Sequence, residues 1–292
     1  MPEAFARHRN FSFGLNADRL AALSVWLTAT AISGLFLWLL ADIAWRGIAR
    51  LSWPFLTEPP TDAGRTGGIG SILVSTGLIL LVALASAVPV GVGTAVWLSE
   101  FVRPGSAFGR FVRRSLTVLA GVPSIVFGLF GNALFCVYLG MGFSILSGGL
   151  TLACMVLPIL ISTCEAGLRS APDEYRLAAA ALGLSRTAAL IHLLLPAATP
   201  AFVAGLMLGI GRAVAETAAL IFTSGYVDRM PTSVFDSGRA LSVHIYDLSM
   251  NVAGGDPNAH AAALVLIAGL TIVNTAAAGL TNRWLRRRII TP

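Results

Sequence analysis

Six apolar runs, each about 20 residues or longer and mostly free of charge, constrain this chain more than any other feature. They cover residues 20–41, 69–98, 115–139, 145–168, 197–222 and 261–280. A helix rises about 1.5 Å per residue, so about 20 apolar residues cross the ~30 Å hydrocarbon core of a bilayer. Lipid offers no partner to backbone N–H and C=O groups, and a helix satisfies them within its own segment. The expected fold is therefore all-α, a polytopic membrane protein with about six transmembrane helices in one domain over 20–282. A composition 56% hydrophobic and 12% charged agrees. The first run is longer than a signal-peptide core and lacks a clean small-x-small site, which favours a membrane helix over a cleaved leader.

Arginine orients the chain. Arg7, Arg9 and Arg19 precede the first run, and Arg103, Arg110, Arg113 and Arg114 lie between the second and third. Arg169, Arg176 and Arg186 border or occupy 170–196, and Arg283, Arg286, Arg287 and Arg288 follow the last run. The other side holds Arg46, Arg50, Arg65, Arg229 and Arg239. Fourteen against five puts both termini and 170–196 in the cytoplasm by the positive-inside rule. Residues 1–19 and 283–292 are then a cytoplasmic segment and a basic tail, while 45–68 and 223–260 are external loops. Leu241, Ile245, Leu248 and Val252 keep a helical period, so the second loop is expected to hold an amphipathic helix lying on the membrane surface.

Composition also narrows the chemistry. The chain has no lysine, so no G-x-x-x-x-G-K-[ST] phosphate loop exists in it, and Schiff-base or Ser-Lys catalysis is excluded. Its four histidines form no H-E-x-x-H pair. Cys136, Cys154 and Cys164 are odd in number and lie in apolar runs, which favours helix packing over a disulfide framework or a metal site. No catalytic residue, metal or cofactor of its own is expected.

The segment 170–196, SAPDEYRLAAAALGLSRTAALIHLLLP, carries charge inside an otherwise apolar chain. Ser170 with Asp173 has capping-box spacing, Pro172 suits a first turn, and Glu174 suits the positive end of the helix dipole. A helix is expected from about Ala171. Gly183 is a natural C′ residue, and Ser185 can cap a second helix that Pro196 closes. Leu184, Ala188, Ile191 and Leu195 share a face of that helix, with Arg186 and His192 off it. The helix-glycine-helix surface can dock a partner or lie on the membrane as an amphipathic connector.

Two features sit at membrane depth. In GVPSIVFGLFG, Gly121, Pro123, Gly128 and Gly131 interrupt the third run, either where backbone lines a cavity or where helices pack closely. In GRAVAETAALIFTSG, Arg212 and Glu216 are four apart, a spacing that puts both on one helix face. An arginine at mid-bilayer costs roughly 2.5–3.5 kcal/mol even on the lower scale, so it needs a partner or a polar path. A neutralising pair that pins the helix is one reading and an anion path is the other. Arginine offers a planar fork that fits phosphate oxygens and stays charged. A carboxylate beside it accepts a hydrogen bond from a protonated oxyanion, which phosphate has at neutral pH and sulfate lacks.

These stretches resemble the permease subunits of phosphate-specific ABC importers, PstA type. Segment 170–196 is similar to the cytoplasmic E-A-A loop of ABC permeases, with Ala178 and Ala179 at the alanines, Gly183 at the glycine, Leu193 at the isoleucine, and Leu195 and Pro196 at the closing pair. Leu177 stands where that family usually has glutamate. FLTEPP (55–60), GGIG (67–70) and GVPSIVFGLF (121–130) resemble further phosphate-permease stretches. GRAVAETAAL resembles A-R-A-[IV]-G-E-T-A-P-L, with Ala219 replacing proline. The likeness implies a type I ABC importer permease fold in a bacterial inner membrane and half of an ion-transport pathway. It implies a substrate path with Arg212, Glu216, Thr217, Ser124 and Pro123, and an ATPase-coupling surface with Tyr175, Ala178, Ala179, Gly183, Leu193, Leu195 and Pro196.

The resemblance further implies a homologous second permease subunit, two ATPase subunits that bind the ATP and magnesium, and a periplasmic phosphate-binding protein, all beside membrane lipid and with no nucleic acid. A permease for phosphonate or another oxyanion is the nearest alternative. A proton-coupled secondary transporter would have no use for a docking loop, and an intramembrane enzyme would need a nucleophile and base that facing runs do not supply.

Overall fold

The computed structural model describes residues 15–103 and 105–289, so Arg7 and Arg9 of the orientation argument lie outside the described residues. Helix α1 (Leu15–Ile48) starts before the expected boundary and takes in Arg19. Two short elements follow, α2 (Trp53–Thr57), capped by the Ser52 hydroxyl, and an antiparallel pair, β1 (Pro60–Thr61) with β2 (Thr66–Gly67). This small hairpin is absent from the all-α expectation, which hydropathy sets and two-residue strands do not affect.

Helix α3 (Gly70–Val96) runs unbroken through Pro89 and ends in a π turn over Trp97–Phe101. Gly91 lies within the same helix. It lets α3 approach the next long helix, for a Cβ there would lie 2.7 Å from Leu160. The third apolar run is not one rod. Helix α4 (Ala107–Ala120) and helix α5 (Ser124–Gly131, with a π continuation to Tyr138) meet at 103°. Pro123 causes the bend, since it offers no N–H and disfavours helical backbone at Val122. Gly128 and Gly131 interrupt nothing, and they serve as close contacts against Ala219 and Thr151.

Helix α6 (Ile145–Arg169), capped by Ser144 and continuous through Pro158, is the most buried span and the axis of the fold. It packs against α3 and against α9 (Leu195–Val214), with Ile79, Leu152, Met155, Val156 and Leu160 in the main core. Small residues set these crossings, as in membrane bundles generally: Gly209 faces Val156 and Gly167 faces Ala201. Helix α12 (Asp256–Ile289) supports α1, whose remaining surface is exposed apolar side chain suited to lipid. Among the described residues, five helices are long and apolar enough to cross a membrane, and six if the bent pair counts as one span.

Between α6 and α9 lies the loop segment. Helix α7 spans Asp173–Ala181 and α8 spans Arg186–Ala189. The expected capping box does not form, because the Ser170 hydroxyl donates back to Gly167 O at 2.8 Å and Pro172 holds the N-cap position. Gly183 does take a left-handed φ of 68°, and Ser185 caps α8 through Ala188 N at 3.2 Å. Pro196 closes nothing. A π turn over Leu190–Leu194 carries α8 directly into α9, with Pro196 in the first turn, where its missing N–H costs least. Helix α10 (Ala218–Ile221) follows a break. A helix does form in 223–260, α11 (Leu241–Met250), but it packs against α12 and α3 with Leu241, Ser242, Val243, His244 and Leu248 buried and does not lie on the membrane surface.

Candidate functional site

The break at Ala215–Glu216–Thr217 decides the geometry of the intramembrane charges. Helix α9 ends at Val214, so Glu216 leaves the helical register that would stack it on Arg212. Glu216 O accepts from the Ser242 hydroxyl of α11 at 2.6 Å, and its Oε1 accepts from Ala219 N at 3.4 Å, which caps α10. Arg212 and Glu216 therefore share no helix face, and no ion pair within 4.0 Å joins them. The Arg212 Nε is buried with no hydrogen-bond partner. Its side chain borders a cleft of about 710 Å³ between α9 and α12, lined also by Met207, Leu208, Asn274 and Thr281.

The second break aligns with the first. Gly128 of α5 lies against Ala218 and Ala219 of α10, and four residues on Asn132 Nδ2 donates to Phe222 O at 2.7 Å. The contacts advance together, so α5 and α10 run parallel and their starts open at the same end. Pro123 and Ser124 begin α5, Glu216 and Thr217 immediately precede α10, and Arg212 lies in the last turn of α9 beside the cleft toward α12.

At the other end, α7 and α8 present an exposed apolar surface of Tyr175, Leu177, Leu182 and Leu184. Ala178 and Gly183 are exposed with them, while Ala179 is buried beneath. Leu193, Leu195 and Pro196 are half-buried; Leu195 packs with Leu168, Leu190, Leu194 and Ala198. These three belong to the root of the loop more than to its outer face.

Five charged residues in and beneath this loop escape a reading based on single motifs. Glu165 of α6 accepts from Arg113 Nε at 2.7 Å and from Arg169 Nε at 2.9 Å. Both arginines also donate to Leu98 O in the π turn after α3. Glu100 in that turn accepts from Arg176 Nη2 at 2.8 Å. The i, i+4 spacing of Glu165 and Arg169 is the one sequence signal for this cluster.

Comparison with known proteins agrees with this architecture. Residues 87–291 match the family of binding-protein-dependent transport system inner membrane components. The chain is 32% identical over 285 residues to a probable ABC transporter permease protein, YqgI of Bacillus subtilis, covering 92% of this chain and 94% of that protein. It is 33% identical over 255 residues to the phosphate transport system permease protein PstA 1 of Mycobacterium tuberculosis, covering 86% and 83%. In fold it is similar to a crystallised bacterial ABC transporter involved in import of the acidic polysaccharide alginate, with a TM-score of 0.61, 14% identity, and coverage of 95% and 98%.

Proposed function

We propose a cargo and a working assembly for this chain, which belongs to the family of binding-protein-dependent transport system inner membrane components. It is a multi-pass membrane permease subunit, and the cargo is phosphate, imported at the expense of ATP. The observation that carries this reading is Arg212, whose buried Nε has no partner beside the cleft between α9 and α12. An unneutralised arginine at that depth is costly unless it meets an anion, and its fork suits phosphate oxygens. Glu216, turned away from Arg212, keeps acceptor capacity for the proton of a hydrogen phosphate. The phosphate-transport relatives support the same cargo.

In this reading Arg212, Glu216, Thr217, Ser124 and Pro123 line half of the path, and a homologous permease supplies the rest. The loop at 170–196 seats on ATPase subunits that carry the phosphate-binding lysine this chain lacks. A periplasmic binding protein delivers phosphate to the loops at 45–68 and 223–260, with both termini in the cytoplasm. Tyr175, Ala178 and Gly183 form the outer contact with the ATPase; Ala179, Leu193, Leu195 and Pro196 support it from below.

Reconstitution in vesicles tests the reading. Phosphate uptake should require ATP, the ATPase subunits and the binding protein together, and excess sulfate should not compete. Uptake that a proton gradient drives without ATP would overturn it in favour of a secondary transporter. Uptake of a phosphonate in preference to phosphate would replace the cargo but keep the machine.

A further inference from the structure

Arg176 is the side chain that fixes the orientation of α7. Its Nη2 donates to Glu100 Oε1 at 2.8 Å and Leu168 O at 3.0 Å, its Nε to Glu100 Oε2 at 3.4 Å, and its Nη1 to Ala171 O at 3.2 Å and Asp173 Oδ1 at 3.3 Å. One guanidinium thereby joins the C-terminal end of α6, the first turn of α7 and the π turn that ends α3. Little else holds α7, since Ala179 is its one buried residue. The Glu100 and Arg176 side chains are 16% and 30% exposed, so water screens this pair less than it screens the open Asp173, at 90%.

A second tie continues from the same turn. Leu98, fully buried, offers its carbonyl to Arg113 at 2.9 Å and to Arg169 at 3.4 Å. Those two arginines share Glu165, and Arg113 belongs to α4, the arm that leads to the bend at Pro123 and to Ser124. A continuous set of charge-assisted bonds therefore runs from α7 through the end of α3 to α4. Such bonds are short and directional, so they transmit a displacement where an apolar contact would slide.

We propose that the Arg176–Glu100 pair is a mechanical link of the transport cycle: it converts movement of the loop at 170–196 into movement of α3 and, through Glu165 and Arg113, of the α4–α5 bend. Arg176 and Glu100 are positioning residues. They touch no cargo, and they determine whether work done on the loop reaches the path. The exposed surface at α7 can still meet an ATPase without them, because Tyr175, Leu177 and Leu182 are open to solvent while the pair is largely covered. Loss of the link therefore separates ATP hydrolysis from transport. This inference rests on the permease reading above.

The test uses the complete complex in vesicles with phosphate-loaded binding protein, and measures complex yield, ATP hydrolysis and phosphate imported per ATP. Arg176→Met and Glu100→Gln should each assemble and hydrolyse ATP within about twofold of wild type while phosphate per ATP falls roughly tenfold, a coupling loss of ordinary size. Arg176→Lys keeps the charge and loses the fork, so it should assemble with a ratio between those of wild type and Arg176→Met. An unchanged ratio in both single variants overturns the link, as does a decline of hydrolysis and uptake in step with yield. If these two variants fail to assemble, Arg176→Lys decides: assembly with a lowered phosphate-per-ATP ratio supports the link, and an unchanged ratio or failed assembly sinks it. Normal ATP-dependent uptake by wild type with an unchanged ratio in the variants removes the link alone, whereas a wild-type complex that imports no phosphate removes the permease reading and the link together.

Discussion

Glu216 caps Ala219 N at 3.4 Å instead of pairing with Arg212, although the two charged residues are four apart in sequence. A neutralising pin would need the opposite arrangement. Glu216→Gln keeps an acceptor for Ala219 N and leaves Arg212 as it was, so the complex should assemble at wild-type yield with reduced phosphate uptake. Arg212→Lys keeps the charge and loses the fork. Loss of one charge-assisted bond worth about 1.5–3 kcal/mol predicts at least a roughly tenfold fall in uptake, again at normal yield. Both are checked by purification followed by uptake in vesicles. Poor assembly of both, rescued in Arg212→Met with Glu216→Leu, would return the residues to a structural role.

Thiol labelling checks the two surfaces. Phe235 is 62% exposed in the loop at 223–260, so a cysteine there should react with an impermeant reagent added to intact cells. Ser237 is a poorer site, since its hydroxyl donates to Ser224 O at 2.9 Å and its Oγ crowds Gly225. A cysteine at Leu182, 76% exposed on the loop at 170–196, should label in the isolated subunit and become protected once the ATPase is bound. Gly183 is unsuited to this experiment because its φ of 68° strains any side chain. Labelling at Phe235 only after lysis would invert the topology.

His244 supplies a pH dependence. It is 1% exposed on α11, against Gly64 of the hairpin and 3.4 Å from Arg239, which pairs with Asp247 at 3.2 Å. Burial, then Arg239, pushes its pKa down to about 4, against the pull of Asp247 and Asp228. Between about 4 and the ordinary 6.5 the unfolded chain binds a proton that the folded chain does not, so stability rises with pH across that window. The loss on acidification through it is of order 3 kcal/mol. Melting temperature in detergent should fall several degrees more for wild type than for His244→Gln between pH 7 and pH 4.5. Parallel curves would show that His244 does not carry the effect.

Gly128 separates packing from helix breaking. A Cβ there would lie 2.8 Å from Ala219 Cα, so Gly128→Ala forces α5 from α10 at a cost of about 1–3 kcal/mol. Gly77→Ala meets nothing within 4 Å and should be neutral or slightly stabilising by helix propensity. Thermal unfolding of the two variants gives the comparison, and equal melting temperatures would contradict the contact.

The spans were legible in the sequence because hydropathy acts over a run of neighbouring residues. The stop at Gly183 and the cap at Ser185 were legible because each acts within one helical turn. Ser170 departs from the expected cap for the same local reason: its hydroxyl bonds Gly167 O behind it in place of the helix ahead. Pro123 bends the chain, Pro196 takes a first-turn position where a proline is tolerated, and α3 and α6 continue through Pro89 and Pro158.

By itself the sequence determined a membrane-spanning helical chain, a charged helix-glycine-helix loop, and an arginine with a glutamate in the fifth apolar run. Only the tertiary structure decided which charges meet. Ser242 holds Glu216 O from 26 residues away, Arg113 reaches Glu165 across 52, and Arg176 reaches Glu100 across 76. Periodicity carries no information at such separations, because each partner is set by how helices cross and where they end. A buried carboxylate takes the nearest donor that the packed helices offer it, and here that donor is remote in the chain.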